Sequence, residues 1–158
     1  MRYLCIDLGD KRTGLAVGDD ATGMALPLDL IEVASDVRGG EALIEAIIAA
    51  IAQQFSPQTP FELVVGLPLN MDGSEGPRVR IVRAFVTRLE ARLSPPRPTH
   101  LHDERLSTAR ADARMARTGL THKQKKVRRD AIAAGAILED FLRTRTPPRV
   151  IDYDHGFD

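Results

Sequence analysis

The chain has one cysteine, Cys5, no tryptophan, and aromatic residues at only 4% of its 158 positions. A single thiol excludes an internal disulfide and every cysteine-cluster zinc site, which fits a reducing cytosol. The shortage of aromatics argues against a single-strand binder that works by stacking successive bases. No apolar run approaches the ~20 residues of a membrane-spanning helix. The opening Met1-Arg2-Tyr3 leads into a short strand-like run, not a signal-peptide core, so neither a membrane nor secretion is expected. No Walker-type glycine loop is present. His100 and His102 share a strand face, but four scattered histidines carry no metal signature. Net charge is zero as well.

What remains is ordinary globular material, 43% hydrophobic and 28% charged, of a length that suits one domain. The charges are unevenly distributed. Residues 76–129 hold fifteen Lys/Arg and four Asp/Glu, whereas the rest hold seven and eighteen. Such asymmetry suits a polyanion-binding zone beside an acidic remainder. It equally suits arginine-rich helix faces whose charges average out in three dimensions, and sequence order leaves both open.

Periodicity supplies the elements. Tyr3-Leu4-Cys5-Ile6-Asp7-Leu8 reads as a buried central strand, and Gly14-Leu15-Ala16-Val17-Gly18 as its hairpin partner. Residues 26–33 form a third extended stretch. Leu43, Ile44, Ile47, Ile48 and Ile51 predict an amphipathic helix over about 40–54. Leu63-Val64-Val65-Gly66 is a compact strand. Val79, Val82, Val86, Leu89 and Leu93 mark a second helix, with Arg78, Arg80, Arg83, Arg88 and Arg92 off its seam. Residues 99–103 are a weaker strand. A third helix is expected from Ser107 or Thr108 to Thr118, stopped by Gly119. Residues 122–129 read as a basic loop and about 129–143 as the last helix. The order is βββαβαβαα, an antiparallel start followed by parallel strands joined through helices. One domain is expected over residues 1–146, with 147–158 a tail and a candidate for disorder.

Three carboxylates stand in unusual places. Asp7 lies between Ile6 and Leu8, where an unpaired charge costs several kcal/mol or shifts its pKa; the bland alternative is a cap on the following turn. Asp130, Ala133, Ala134, Ile137, Leu138 and Phe141 share one helix face, which puts the acid on the inward stripe. A first-turn acid favoured by the helix dipole would explain it as well. Glu104, next to Asp103, follows a strand at the carboxyl edge where α/β sheets bind ligands, although a lone Asp-Glu pair in a loop is usually just solvated. Cys5 is read as packing.

Four blocks carry a family resemblance: Asp7-Leu8-Gly9-Asp10-Lys11-Arg12-Thr13-Gly14-Leu15-Ala16-Val17, Val65-Gly66-Leu67-Pro68-Leu69-Asn70-Met71-Asp72-Gly73, Asp103-Glu104-Arg105-Leu106-Ser107-Thr108, and Asp130-Ala131-Ile132-Ala133-Ala134 followed by Ile137-Leu138. In this order and spacing the chain resembles the YqgF family, which is Holliday-junction-resolvase-like and associated with pre-16S rRNA nuclease activity. Gly18 departs from the serine expected in many relatives. The resemblance implies an α/β, ribonuclease H-like fold, a mixed five-stranded sheet flanked by helices, with acidic positions on Asp7, Glu104 and Asp130.

Those three acids would hold one or two Mg²⁺ or Mn²⁺ ions for phosphodiester hydrolysis in the cytoplasm. Lys11, Arg12, Asn70, Arg105 and the run Lys123, Lys125, Lys126, Arg128 and Arg129 are candidates for holding nucleic acid. The loop 70–73 either positions substrate or is a plain turn. The implied substrate is the 5′ end of pre-16S rRNA, with branched DNA as the alternative. A non-catalytic nucleic-acid adaptor is a further alternative, and a sugar-kinase or actin-like phosphate module a more distant one, since those normally need two domains. Oligomeric state, monomer or homodimer, is left open.

Overall fold

The computed structural model describes residues 1–105, 107 and 122–145. Its elements are β1 (Arg2–Leu8), β2 (Thr13–Asp19), β3 (Ala25–Ile31), α1 (Glu41–Gln54), β4 (Phe61–Leu67), α2 (Pro77–Arg92), β5 (Thr99–Asp103) and α3 (His122–Arg145). They form one five-stranded sheet in the order β3-β2-β1-β4-β5. β1 pairs antiparallel with β2 and parallel with β4; β4 pairs parallel with β5. The expected mixed sheet is the one observed.

β1 is apolar from Tyr3 to Ile6 and again at Leu8 because both of its faces are covered. Leu4, Ile6 and Leu8 meet Leu43, Ile44 and Ile47 of α1 and Val79, Val82 and Leu89 of α2. The alternate residues Tyr3 and Cys5 meet Ile137, Leu138, Phe141 and Leu142 of α3. Each enclosed aliphatic side chain contributes roughly 1.5–3 kcal/mol. The strand period of two carries the second series on to Asp7, so its carboxylate belongs to the α3 face.

α3 begins at His122, so residues 122–129 are helix and not the loop expected from their charge. Lys, Gln and Arg are strong helix formers, and no Gly or Pro interrupts them before Gly135. The consequence for Asp130 is direct. It stands more than two turns inside the helix, beyond the reach of cap or dipole stabilisation, which fades within the first turn. The first-turn explanation for this acid therefore falls. Apart from Ser107, the helix expected up to Thr118 lies outside the described residues, as does the tail at 147–158.

α3 approaches the sheet closely where side chains are missing. Gly14 lies opposite Asp7 in the β1–β2 register. A Cβ on Gly14 would stand 2.1 Å from the Asp130 carbonyl oxygen. Gly14→Ala should therefore force backbone apart and destabilise the protein by more than about 2 kcal/mol. Gly135→Ala is the opposite case: its Cβ would sit at an ordinary 3.6 Å from Pro27, inside a helix. It should gain about 0.5–1 kcal/mol. Urea unfolding of both variants checks the pair of signs.

Candidate active site

Asp7 is the penultimate residue of β1, and Glu104 is the first residue after β5. Both therefore lie at the carboxyl edge of the parallel half of the sheet, where crevices form. The Glu104 amide donates to the Leu67 carbonyl at 3.3 Å, which fixes the turn at the end of β4. The Glu104 carboxylate then folds over Gly66, where a Cβ would come within 2.4 Å of Oε2. Val65 pairs with Ile6, so Gly66 is the next neighbour of Asp7 on that side. Asp7 is thus flanked by Gly14 on β2 and Gly66 on β4. One gap admits the backbone of α3 and the other admits the carboxyl of Glu104.

The two carboxyl groups lie within hydrogen-bonding range of each other, a contact that favours the protonated form of Asp7. Burial, followed by the charges of Glu104 and Asp130, pushes the Asp7 pKa up to about 7. Burial likewise raises Glu104, while its bond to Asp7 and the nearby Arg78 cation act the other way. Beneath them, burial and then the same acids push the Cys5 thiol well above its usual range, leaving it an inert packing group.

Asp130 is close enough to raise Asp7 electrostatically, but its Oδ2 pairs with Arg12 Nε at 3.3 Å. Among the described residues, no three His, Cys, Asp or Glu side chains are gathered into a ready metal cluster. The chemistry of the donors nevertheless fits a hard divalent cation: carboxylate oxygens brought together, those of Asp7 and Glu104 largely buried, and this burial with their mutual repulsion pushes the Asp7 pKa up. Beside Asp7 and Asp130 opens a cavity of about 320 Å³, lined by these two and by Gly9, Asp10, Lys11 and Arg12.

The basic candidates divide into two groups. Lys11 and Arg12 line the cavity. Arg105 is already engaged: Nε lies 2.8 Å and Nη2 2.6 Å from Asp103 Oδ2, and Nη1 donates to the Met71 carbonyl at 3.2 Å. Asn70 knits its own turn, with Nδ2 donating to Ser74 Oγ at 2.9 Å and its amide to the Ser74 carbonyl at 2.9 Å. Lys123, Lys125, Lys126, Arg128 and Arg129 fall on α3, N-terminal to Asp130. His100 and His102 each bond one carboxylate, Glu62 at 2.6 Å and Asp140 at 2.9 Å.

Arg78 was not among the residues singled out for the site. It reaches from α2 to Asp10 Oδ1 at 2.7 Å and to the Leu8 carbonyl at 3.4 Å, and its charge lowers both Asp7 and Glu104. Much of the basic block is neutralised in the same manner: Arg83 pairs with Glu75, and Arg88 and Arg92 with Glu41. The sequence asymmetry is therefore partly dissolved by acids from other segments.

The family model described as RuvX, Holliday junction resolvase, matches residues 1–144. A protein named "Putative pre-16S rRNA nuclease" from Anaeromyxobacter dehalogenans (strain 2CP-C) is 42% identical over 147 residues, covering 93% of this chain and 100% of that one. Its namesake from Thiobacillus denitrificans (strain ATCC 25259 / T1) is 40% identical over 142 residues, covering 90% and 91%. Among solved structures, T. thermophilus RuvC in complex with a Holliday junction substrate superposes with a TM-score of 0.52 at 14% identity, covering 92% of this chain and 95% of that one. At that identity the likeness is one of fold. Sheet order and this likeness define a ribonuclease H-like fold. The chain belongs to the RuvX Holliday junction resolvase family.

The raised Asp7 pKa has a pH signature. Asp7 titrates near 7 in the folded chain and at its ordinary 3.8 when unfolded. Between those values the native state keeps a proton that the unfolded state has released, so stability falls as pH rises through this window. In chelator, Asp7→Asn should melt above the wild type at pH 8, and the gap should close below pH 4. Melting temperatures across that range check it.

Proposed function

We propose that this protein is a metal-dependent nuclease that hydrolyses phosphodiester bonds in the cytoplasm, with the 5′ end of pre-16S rRNA as its substrate. The observation that carries this reading is the Asp7–Glu104 pair: two largely buried carboxyls brought together at the sheet's carboxyl edge, with Asp7 lining a cavity rimmed by Lys11 and Arg12. A fold gains no stability from such a pair. Its retention has a functional explanation in cation binding.

Asp7 and Glu104, with Asp130, are the residues that would hold Mg²⁺ or Mn²⁺. When bound, such an ion supplies Lewis acidity toward the phosphate and lowers the pKa of water. The chain's own part is positional. Asp7 and Glu104 present oxygen donors. Gly14 leaves room for the α3 backbone at Asp130, and Gly66 for the Glu104 carboxyl. Arg78 holds the Asp10 side of the loop between β1 and β2, keeping Lys11 and Arg12 at the cavity wall where a backbone phosphate would lie. Phosphate contacts of this type fix register without reading bases. Arg105, by clamping Asp103 to the turn at Met71, keeps the segment that carries Glu104 in place.

The family description also favours branched DNA as an alternative substrate. The two are compared by incubating pre-16S rRNA and a four-way DNA junction separately with the protein in Mg²⁺, Mn²⁺ or chelator. We expect rRNA cleavage that requires metal and drops on the order of 100-fold or more in Asp7→Asn and Glu104→Gln. Junction cleavage without rRNA cleavage would transfer the substrate to DNA. Cleavage that persists in chelator, or in both variants, would end the metal mechanism.

A further inference from the structure

Arg12 and Asp130 make an ion pair at 3.3 Å with side chains 22% and 34% exposed, inside the cavity that Asp7 also lines. While it stands, one carboxylate oxygen of Asp130 is committed to a guanidinium, and no three acids among the described residues form a ready cluster. Arg12 thus occupies, with its positive charge, the role that a cation would take toward Asp130. A guanidinium is a planar fork matched to two oxygens of one anion, and phosphodiesters offer that geometry as well as carboxylates do. A nucleic-acid backbone entering the cavity competes with Asp130 for the same donors.

We infer that Arg12 is a gating residue: it withholds Asp130 from the Asp7–Glu104 pair until a backbone phosphate draws it away, so that substrate binding completes the cation site. The inference rests on the nuclease reading above and adds an order of assembly to it. Its thermodynamic content is reciprocal coupling: phosphodiester binding tightens cation binding, and cation binding tightens phosphodiester binding by the same factor. An idle cation then binds poorly in the absence of nucleic acid, which limits hydrolysis of the wrong partner.

A simpler effect has to be separated from the gate. Any positive charge near the acids repels a cation, whether or not it touches Asp130. Lys11 is the natural comparison, being the adjacent residue on the same cavity wall with the same charge. Charge repulsion also operates without Asp130, whereas the gate needs that carboxylate to release.

The test is calorimetric titration of Mn²⁺ into nucleic-acid-free protein, for wild type, Arg12→Gln, Lys11→Gln, Asp130→Asn and Arg12→Gln/Asp130→Asn, and into wild type carrying a non-cleavable 2′-O-methyl oligonucleotide. Arg12→Gln should bind Mn²⁺ about tenfold more tightly than wild type, within the usual range of coupling between sites. Lys11→Gln should change affinity by less than about twofold, and the Arg12→Gln gain should vanish in the Asp130→Asn background. The oligonucleotide should tighten Mn²⁺ binding in wild type. Arg12→Ala replaces Arg12→Gln if the latter does not fold. Equal gains from Arg12→Gln and Lys11→Gln, or a gain that survives Asp130→Asn, would overturn the gate while leaving metal-dependent cleavage intact. Absence of Mn²⁺ binding in every variant, with and without oligonucleotide, would overturn the gate and the metal mechanism together.

Discussion

The repulsion between two carboxyl groups held in one dehydrated corner organises much of this molecule. Asp7 and Glu104 are separated by nearly a hundred residues in the chain, and burial together with their contact pushes the Asp7 pKa up to about 7. Everything around them serves that contact. β1, β4 and β5 run parallel, so both acids emerge at the same edge. The sheet is stripped of side chains on either side of Asp7. α3 comes down onto the sheet so far that its backbone touches the place where another residue's Cβ would stand. Two cores, one under α1 and α2 and the other under α3, supply the stability against which this local cost is set.

Much of this was visible in the chain itself. The central strand announces itself by an apolar run in which a single acid is out of place, and the alternation of that run also assigns the acid to a face. The helical spacing of Leu43, Ile44 and Ile47, and of Val79, Val82 and Leu89, predicted the two helices that cover the opposite face. The inward position of Asp130 followed from the spacing of Ile137, Leu138 and Phe141.

What escaped the sequence had identifiable causes. The start of α3 was missed because residues 122–129 contain one apolar residue, Val127, so periodicity had nothing to report. Their helical propensity was the better guide. Arg78 sits on the exposed face of α2, and only the meeting of that helix with the loop after β1 gives it a partner. Gly14 and Gly66 looked like members of a hairpin and a strand end, since their relation to Asp7 appears only when three strands are laid in register. The arginine-rich segment was half misleading: Glu41, Glu75 and Asp10, all outside that segment, pair with four of its cations.

The two glycines beside Asp7 have an evolutionary implication. They are tolerated vacancies in a sheet that would otherwise gain from larger residues, and their only service is to leave room for Glu104 and for the helix bearing Asp130. A descendant that abandoned hydrolysis and kept only nucleic-acid binding would lose the reason to keep the Glu104 carboxyl over Gly66. Selection for packing would then favour filling that position once the flexible end of Ile137 gives way, whereas Gly14 would stay fixed by the helix backbone. Loss of one glycine without the other would be the fossil of a retired enzyme.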